Sequence, residues 1–403
     1  MRKQLSAFDK LSALWLGLLA GLLCVRPSSL AREMSEASLT DLGVAPAIAI
    51  ITPHIYWVVA SMLCIYVAAK LINREPAVIS IPILLLGCLS IVKMLRAIAT
   101  DSLSLSEVAM FAAPIFICVV ATFSSNWEKL RALLVAAVVF ALFNLYALVA
   151  SEASLWQGRA LGVAAHPNHL GHQAALLAII SMSSYAFLTP HVQKLLKYIV
   201  VPSLLALCFL SGSRSGWLVL ATGLLFLAIL NRGQGILLAI TVLSMLWVLL
   251  VVVGPELGYI APAENLDRGN TRRDVIATLF AHIEQAPIFG VGVLDDSGTS
   301  NAFLSAWAHY GITAFLLLIA TYLAAERIAL KGFGFQESLR PVAIVVPALA
   351  VSALFEGQVL DRYSTMLFIQ ALVLSVYTTP TEQSYNGTRV NNYEATRTAN
   401  LEA

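Results

Sequence analysis

Long apolar runs, one after another with short polar breaks, constrain this chain more than any motif does. They fall near residues 11–26, 46–70, 78–98, 107–124 and 130–150, then 168–188, 198–212, 215–231 and 234–254, and finally 301–325, 341–359 and 363–379. A run of about 20 apolar residues is the length of a helix that crosses the hydrocarbon core of a bilayer. Every backbone polar group in that core must be satisfied internally, which favours helices. The expected fold class is all-α: a polytopic integral membrane protein with about 12 transmembrane helices. Composition agrees, because 59% of the 403 residues are hydrophobic and only 12% are charged. Soluble domains carry roughly 25% charged residues. With a net charge of only +2 the chain has a small basic surplus, and no nucleic-acid partner is expected.

The N-terminal stretch "MRKQLSAFDKLSALWLGLLAGLLCV" has a basic start and an apolar run, but no clear small-residue cleavage site before "RPSSLAREM". It reads as an uncleaved first span. With that end inside, ten of the 25 Lys and Arg residues fall on the outer side. They are Arg26, Arg32, Lys93, Arg96, Arg159, Arg214, Arg268, Arg272, Arg273 and Arg362. The larger share lies inside, which places both termini in the cytoplasm. The outer set is nearly all arginine, whose planar fork grips phosphate at two points. An anionic, phosphorylated ligand is expected on that side.

The expected membrane domain covers 1–379, with its largest outer, periplasmic loop at 255–300. Within that loop, 271–285 reads as a short amphipathic helix, since Val275, Leu279 and Ile283 recur every four residues. "APIFGVGVLDDSGTS" follows as a Gly-rich loop into the next span. Residues 380–403 form a polar tail that reads as disordered. Cys24, Cys64, Cys88, Cys118 and Cys208 all lie in apolar runs and read as packing residues, not disulfides.

Three stretches break the apolar pattern. In "SGSRSG", 211–216, Arg214 sits between two apolar runs, where an arginine at mid-membrane costs at least roughly 2.5–3.5 kcal/mol. Freed amides at the start of the second run would attract phosphate beside it. The plain alternative is a tight turn with Arg214 reaching to the headgroups. In "GRALGVAAHPNHLGHQAALLA", 158–178, His166, His169 and His172 recur every three residues, with Asn168 after Pro167 as the helix start. Two histidines so spaced could share a metal, but no carboxylate or cysteine accompanies them. The readings left are unspecialised interfacial histidines or a site for a polar ligand. In "RGNTRRDVIATLFAHIEQAPIFGVG", 268–292, Arg272 and Arg273 head the amphipathic helix.

These stretches, in this order and with "SNAFLSAWAHYGI" after them, resemble the O-antigen ligase and polysaccharide polymerase superfamily over 155–315. The resemblance implies a membrane glycosyltransferase of the bacterial inner membrane, using no metal or other cofactor. Its donor would be an undecaprenyl-diphosphate-linked oligosaccharide. Membrane lipids, a chain-length regulator and a flippase are the implied partners. Arg214 and Arg272 match the family arginines that hold the carrier diphosphate, and Arg159 matches a basic position before the Pro-Asn pair. Asn301 matches the Asn of the family's His-Asn pair. His166, Asn168, His169 and Arg273 complete the expected substrate-binding set. At Ser300 the chain departs from ligases, which carry histidine there, and this favours a polymerase over a ligase. Serine is no general base near neutral pH without help. Asp295, Asp296, His309, His166 and Glu356 are candidate bases, and Asp295 is taken on its nearness to Ser300, with a solvated loop carboxylate as the alternative. His309 reads as a packed histidine in a span. A transporter or flippase for an anionic lipid or solute is the reading of another class. It predicts charges near mid-membrane and repeated halves, and neither is seen.

Overall fold

The computed structural model describes residues 7–22, 55–100, 105–150, 155–156, 159–164, 166–185, 188–230, 272–292, 301–332, 338–356 and 365–377. These form a helical bundle. In chain order the helices are α1 Ala7–Leu22, α2 Ile55–Ile72, α3 Ile81–Thr100, α4 Leu105–Thr122, α5 Asn126–Ala150 and α6 Pro167–Ser183. There follow α7 Pro190–Leu210, α8 Arg214–Leu230, α9 Arg272–Gln285, α10 Ala302–Tyr310, α11 Ile312–Gly332, α12 Leu339–Phe355 and α13 Thr365–Leu374. Among the described residues the strand content is one antiparallel pair, β1 Leu155–Trp156 with β2 Arg159–Ala160.

Among the described residues four helices, α3, α5, α7 and α11, are long and apolar enough to cross a membrane. Shorter apolar helices include α8, α12 and α13. An all-α membrane protein is what these helices make. The expected number of about 12 spans is not established by them. One expected span, 234–254, lies outside the described residues.

Two expected boundaries change. The short run 198–212 is the second half of one helical segment that begins at Pro190. Pro202 inside it has no amide to give and crowds the carbonyl four residues back. The chain answers with a π-turn at Leu196–Val200, where the Val201 N–H reaches back to the Leu196 carbonyl. The run 301–325 is two helices, because Gly311 breaks it with φ +84. A Cβ there would meet the carbonyl oxygen of Ile288, so only glycine fits.

Leu316, Leu323 and Leu330, seven residues apart on α11, are all exposed, as are Leu84, Ile91, Leu95 and Ile98 on α3. Water would not tolerate such stripes; lipid does. By contrast, α13 is buried all round and α6 nearly so. Close crossings hold the middle together. A Cβ on Gly17 of α1 would lie 2.5 Å from the Ala132 carbonyl oxygen of α5. One on Gly216 of α8 would lie 2.9 Å from the Gly171 backbone of α6. Small residues at such points let helix backbones pack by direct van der Waals contact.

Polar contacts between helices gather at two opposite ends. At one end Ser125 and Glu128 form a capping box on α5: the Ser125 N–H donates to Glu128 Oε2 at 2.8 Å and the Glu128 N–H to Ser125 Oγ at 3.2 Å. Lys70 Nζ donates to the same glutamate, Oε1, at 2.5 Å, with Asp9 at 3.7 Å. Lys129 Nζ donates to the Ser375 carbonyl at 2.8 Å and Asn126 Nδ2 to the Tyr377 carbonyl at 2.7 Å. The other end carries Arg159.

Candidate functional site

The β1–β2 pair sets Arg159 opposite Trp156 and starts the turn that leads into α6. That turn is pinned from below by Asn144 of α5, fully buried, whose Oδ1 accepts from the Val163 N–H at 3.1 Å. Its Nδ2 donates to the Phe140 carbonyl at 2.9 Å. Arg159 is thereby turned inward and buried. Its Nε donates to the Ser211 carbonyl at 2.7 Å and its Nη2 to Asn168 Oδ1 at 2.8 Å.

Asn168 carries the chain of contacts onward. Its Nδ2 donates to Glu356 Oε1 at 3.0 Å. With its oxygen toward a cation and its NH₂ toward a carboxylate, each half of the amide meets the charge it suits. Glu356 is the first residue past α12, where its N–H still donates to the Ser352 carbonyl at 2.9 Å. Its second oxygen lies 3.9 Å from His169 Nε2. Helices α11 and α12 pack as neighbours across the short connection 333–337, so Glu356 lies at the end of the bundle where α11 begins.

The three histidines do not share one role. His166 caps α6: its Nδ1 accepts from the Asn168 N–H at 3.1 Å, and Pro167 takes the first helical position. The cap is thus one residue earlier than Pro-Asn and involves an imidazole rather than an Asn side chain. The ring of His169 stands 5.7 Å from that of His166. His172, one turn on, points into the core and is fully buried. Its Nδ1 meets Ser352 Oγ at 2.7 Å and its Nε2 meets Ser215 Oγ at 2.8 Å. It ties α6, α8 and α12 together.

The "SGSRSG" stretch is mostly structural. Ser213 Oγ accepts from the Gly216 N–H at 3.0 Å, capping α8, and Ser211 Oγ accepts from the Ser213 N–H at 3.2 Å. Two amides expected to face a phosphate are therefore already satisfied by serine hydroxyls. Gly216 and Gly171 make the close crossing. Arg214 is the exposed residue of the stretch, next in sequence to Ser215, whose hydroxyl meets His172.

Helix α9 forms as its spacing predicts, burying Leu279 and Ile283 against Ala308 of α10. The side chains of Arg272 and Arg273 lie outside the described residues, as do Asp295, Asp296 and Ser300. The loop after α9 folds back on α10. The Val291 N–H donates to the Ala308 carbonyl at 2.8 Å and Trp307 Nε1 to the Pro287 carbonyl at 2.9 Å. His309 is packed as expected, its Nδ1 against the Gly292 carbonyl at 2.9 Å. Asn301 is the cap of α10, its Oδ1 accepting from the Leu304 N–H at 3.0 Å. Arg96 Nη2 holds the loop by donating to the Gly290 carbonyl at 2.6 Å.

The fold thus joins Arg159, Asn168, His169 and Glu356, with His166 beside them and Arg214 one helix away. It does not link Asn301 to this group by any contact described. Glu356 was one of five open candidates in the sequence, and Asn144 was unmarked. Their signals are weak: a lone carboxylate closing an apolar run, and a lone amide inside one. Among the described residues, no group of three His, Cys, Asp or Glu side chains is placed to hold a metal ion.

Residues 199–319 match the family model described as O-Antigen ligase. The matched segment runs from α7 through α8 and α9 into α11 and includes "SGSRSG" and Arg272. It supports the O-antigen ligase and polymerase superfamily. Arg159, the histidine stretch and Glu356 lie outside it. Among curated proteins, none matches the chain.

Proposed function

We propose that this chain is a polymerase of the O-antigen ligase and polymerase superfamily. In this reading it joins undecaprenyl-diphosphate-linked repeat units into exopolysaccharide, capsule or O-antigen at the outer face of the inner membrane. The family match over the segment that holds Arg214 and Arg272 carries the superfamily reading, and Ser300, where ligases carry histidine, favours the polymerase. Arg214 supports it further by being the exposed cation at an otherwise capped and buried helix junction.

The chemistry asks for two things. A sugar hydroxyl attacks the anomeric carbon of the donor glycan, and the lipid diphosphate leaves with the electron pair. Arg214 and Arg272 stabilise the charge on the leaving diphosphate, an electrostatic role. In this reading Arg273, His166, His169 and Asn301 are the substrate-binding residues. Two glycans held end to end gain orientation as well.

Purified protein in a membrane, given the lipid-linked repeat unit, tests this. Arg214→Ala and Arg272→Ala should each lower chain formation by roughly 10²–10³-fold. Unchanged polymer length in both variants contradicts the assignment. A ligase is the second reading, favoured by the description of the matched family. It predicts a single transfer to a distinct acceptor instead of a ladder of lengths. A flippase predicts lipid-linked single units accumulating inside the cell, whereas loss of a polymerase leaves them outside.

A further inference from the structure

We infer that Glu356 is the general base of the transfer, with Asn168 and Arg159 as its positioning residues. The inference rests on the transferase reading. A carboxylate is held in a buried place by partners that fix its position. Glu356 is nearly covered, with 8% of its side chain exposed. Its Oε1 is oriented by Asn168, and Asn168 is in turn clamped by Arg159 at 2.8 Å. Its Oε2 faces His169 at the mouth of α6.

The carboxylate is also fixed relative to Arg214. His172 bridges Ser215, next to Arg214, and Ser352, one turn before Glu356. The proposed phosphate grip and the base thus sit at the ends of two helices joined by one buried imidazole. The other described candidates are placed differently. His166 uses Nδ1 to cap α6, and His309 is packed against the Gly292 carbonyl beneath the loop.

The acceptor O–H bond breaks and its proton passes to the Glu356 carboxylate. The acceptor oxygen forms a bond to the anomeric carbon. The bond from that carbon to the diphosphate oxygen breaks, and its electron pair departs with the lipid diphosphate.

The test uses the full-length protein in lipid nanodiscs, with undecaprenyl diphosphate as the binding probe. The substrate is the undecaprenyl-diphosphate-linked oligosaccharide extracted from the producing cell. Glu356→Gln keeps an oxygen for Asn168 but loses proton acceptance. Its turnover should fall by about 10²–10⁴-fold, with probe binding within about threefold of wild type. The wild-type rate should rise with pH over a limb that the Gln variant lacks. Turnover of Glu356→Gln within about threefold of wild type overturns the inference. Equal loss of binding and turnover overturns it too, since that marks a structural role. If the Gln variant does not fold, Glu356→Asp decides. It retains measurable turnover and the pH limb if a carboxylate is the base, and loss of both overturns the assignment. A wild-type protein that forms no product overturns the transferase reading itself, and an active wild type beside an equally active Gln variant overturns only the base.

Discussion

The two ends of the bundle hold charge in different ways. At the Lys70 end the charges are closed on each other: Lys70 and Glu128 pair directly, and Glu128 also completes the capping box of α5. At the Arg159 end the charged groups are strung out through an amide, from Arg159 to Asn168 to Glu356, and Arg214 faces outward. A closed pair anchors helices and has little left for a ligand. A strung-out network keeps charged groups at fixed separations near the surface, as preorganised electrostatics requires. In the proposed reading the first end serves stability and the second serves chemistry.

Breaking the closed pair should give the largest effect. Lys70→Ala leaves Glu128 buried beside one fewer cation, and should lower stability by about 3–5 kcal/mol. Denaturation in detergent reads this, and turnover per folded molecule should stay at the wild-type level. A stability loss near zero would mean that the Lys70 end is not the anchor. Gly216→Val tests the junction between the two roles. Its added carbon meets the Gly171 backbone, and overpacking should cost about 1–3 kcal/mol. Because α6 and α8 carry Asn168 and Arg214, this variant should lose turnover as well as stability. Asn301→Ala removes a helix cap and should cost about 1 kcal/mol. A loss of turnover far beyond that cost would show that Asn301 also touches substrate, sharpening its role.

Much of the bundle was legible because lipid imposes a simple rule on length and apolarity. The runs at 78–98, 130–150 and 301–325 gave α3, α5 and most of α10–α11 for that reason. Helix α9 was legible from its four-residue spacing, which buries Leu279 and Ile283. Boundaries set by local backbone chemistry were harder. Pro202 reads as a helix break unless a π-turn absorbs it. Gly311 reads as one more small residue in a span until the Ile288 carbonyl is seen against it.

The site was legible in its parts but not in its connections. Arg159, Asn168 and His169 stood out as polar residues near apolar runs. Nothing local says that Asn168 meets a carboxylate 188 positions away, or that Arg159 meets a carbonyl 52 positions away. Such contacts depend on how α6, α8 and α12 cross, and only the α6–α8 crossing has a local mark, Gly171 against Gly216. The histidine triplet shows the same limit. Equal spacing left interfacial residues or a polar-ligand site as the readings for all three, yet tertiary packing turned His172 inward to two serines.

In the proposed reading the Arg159 end receives a lipid diphosphate, with Arg214 in contact with it. Binding of undecaprenyl diphosphate to the purified protein, wild type against Arg214→Ala, measures this most directly. Arg214→Ala should bind more weakly by roughly 10- to 100-fold, the worth of a charge-assisted hydrogen bond, with unchanged thermal stability. Equal affinity in the two proteins would contradict it.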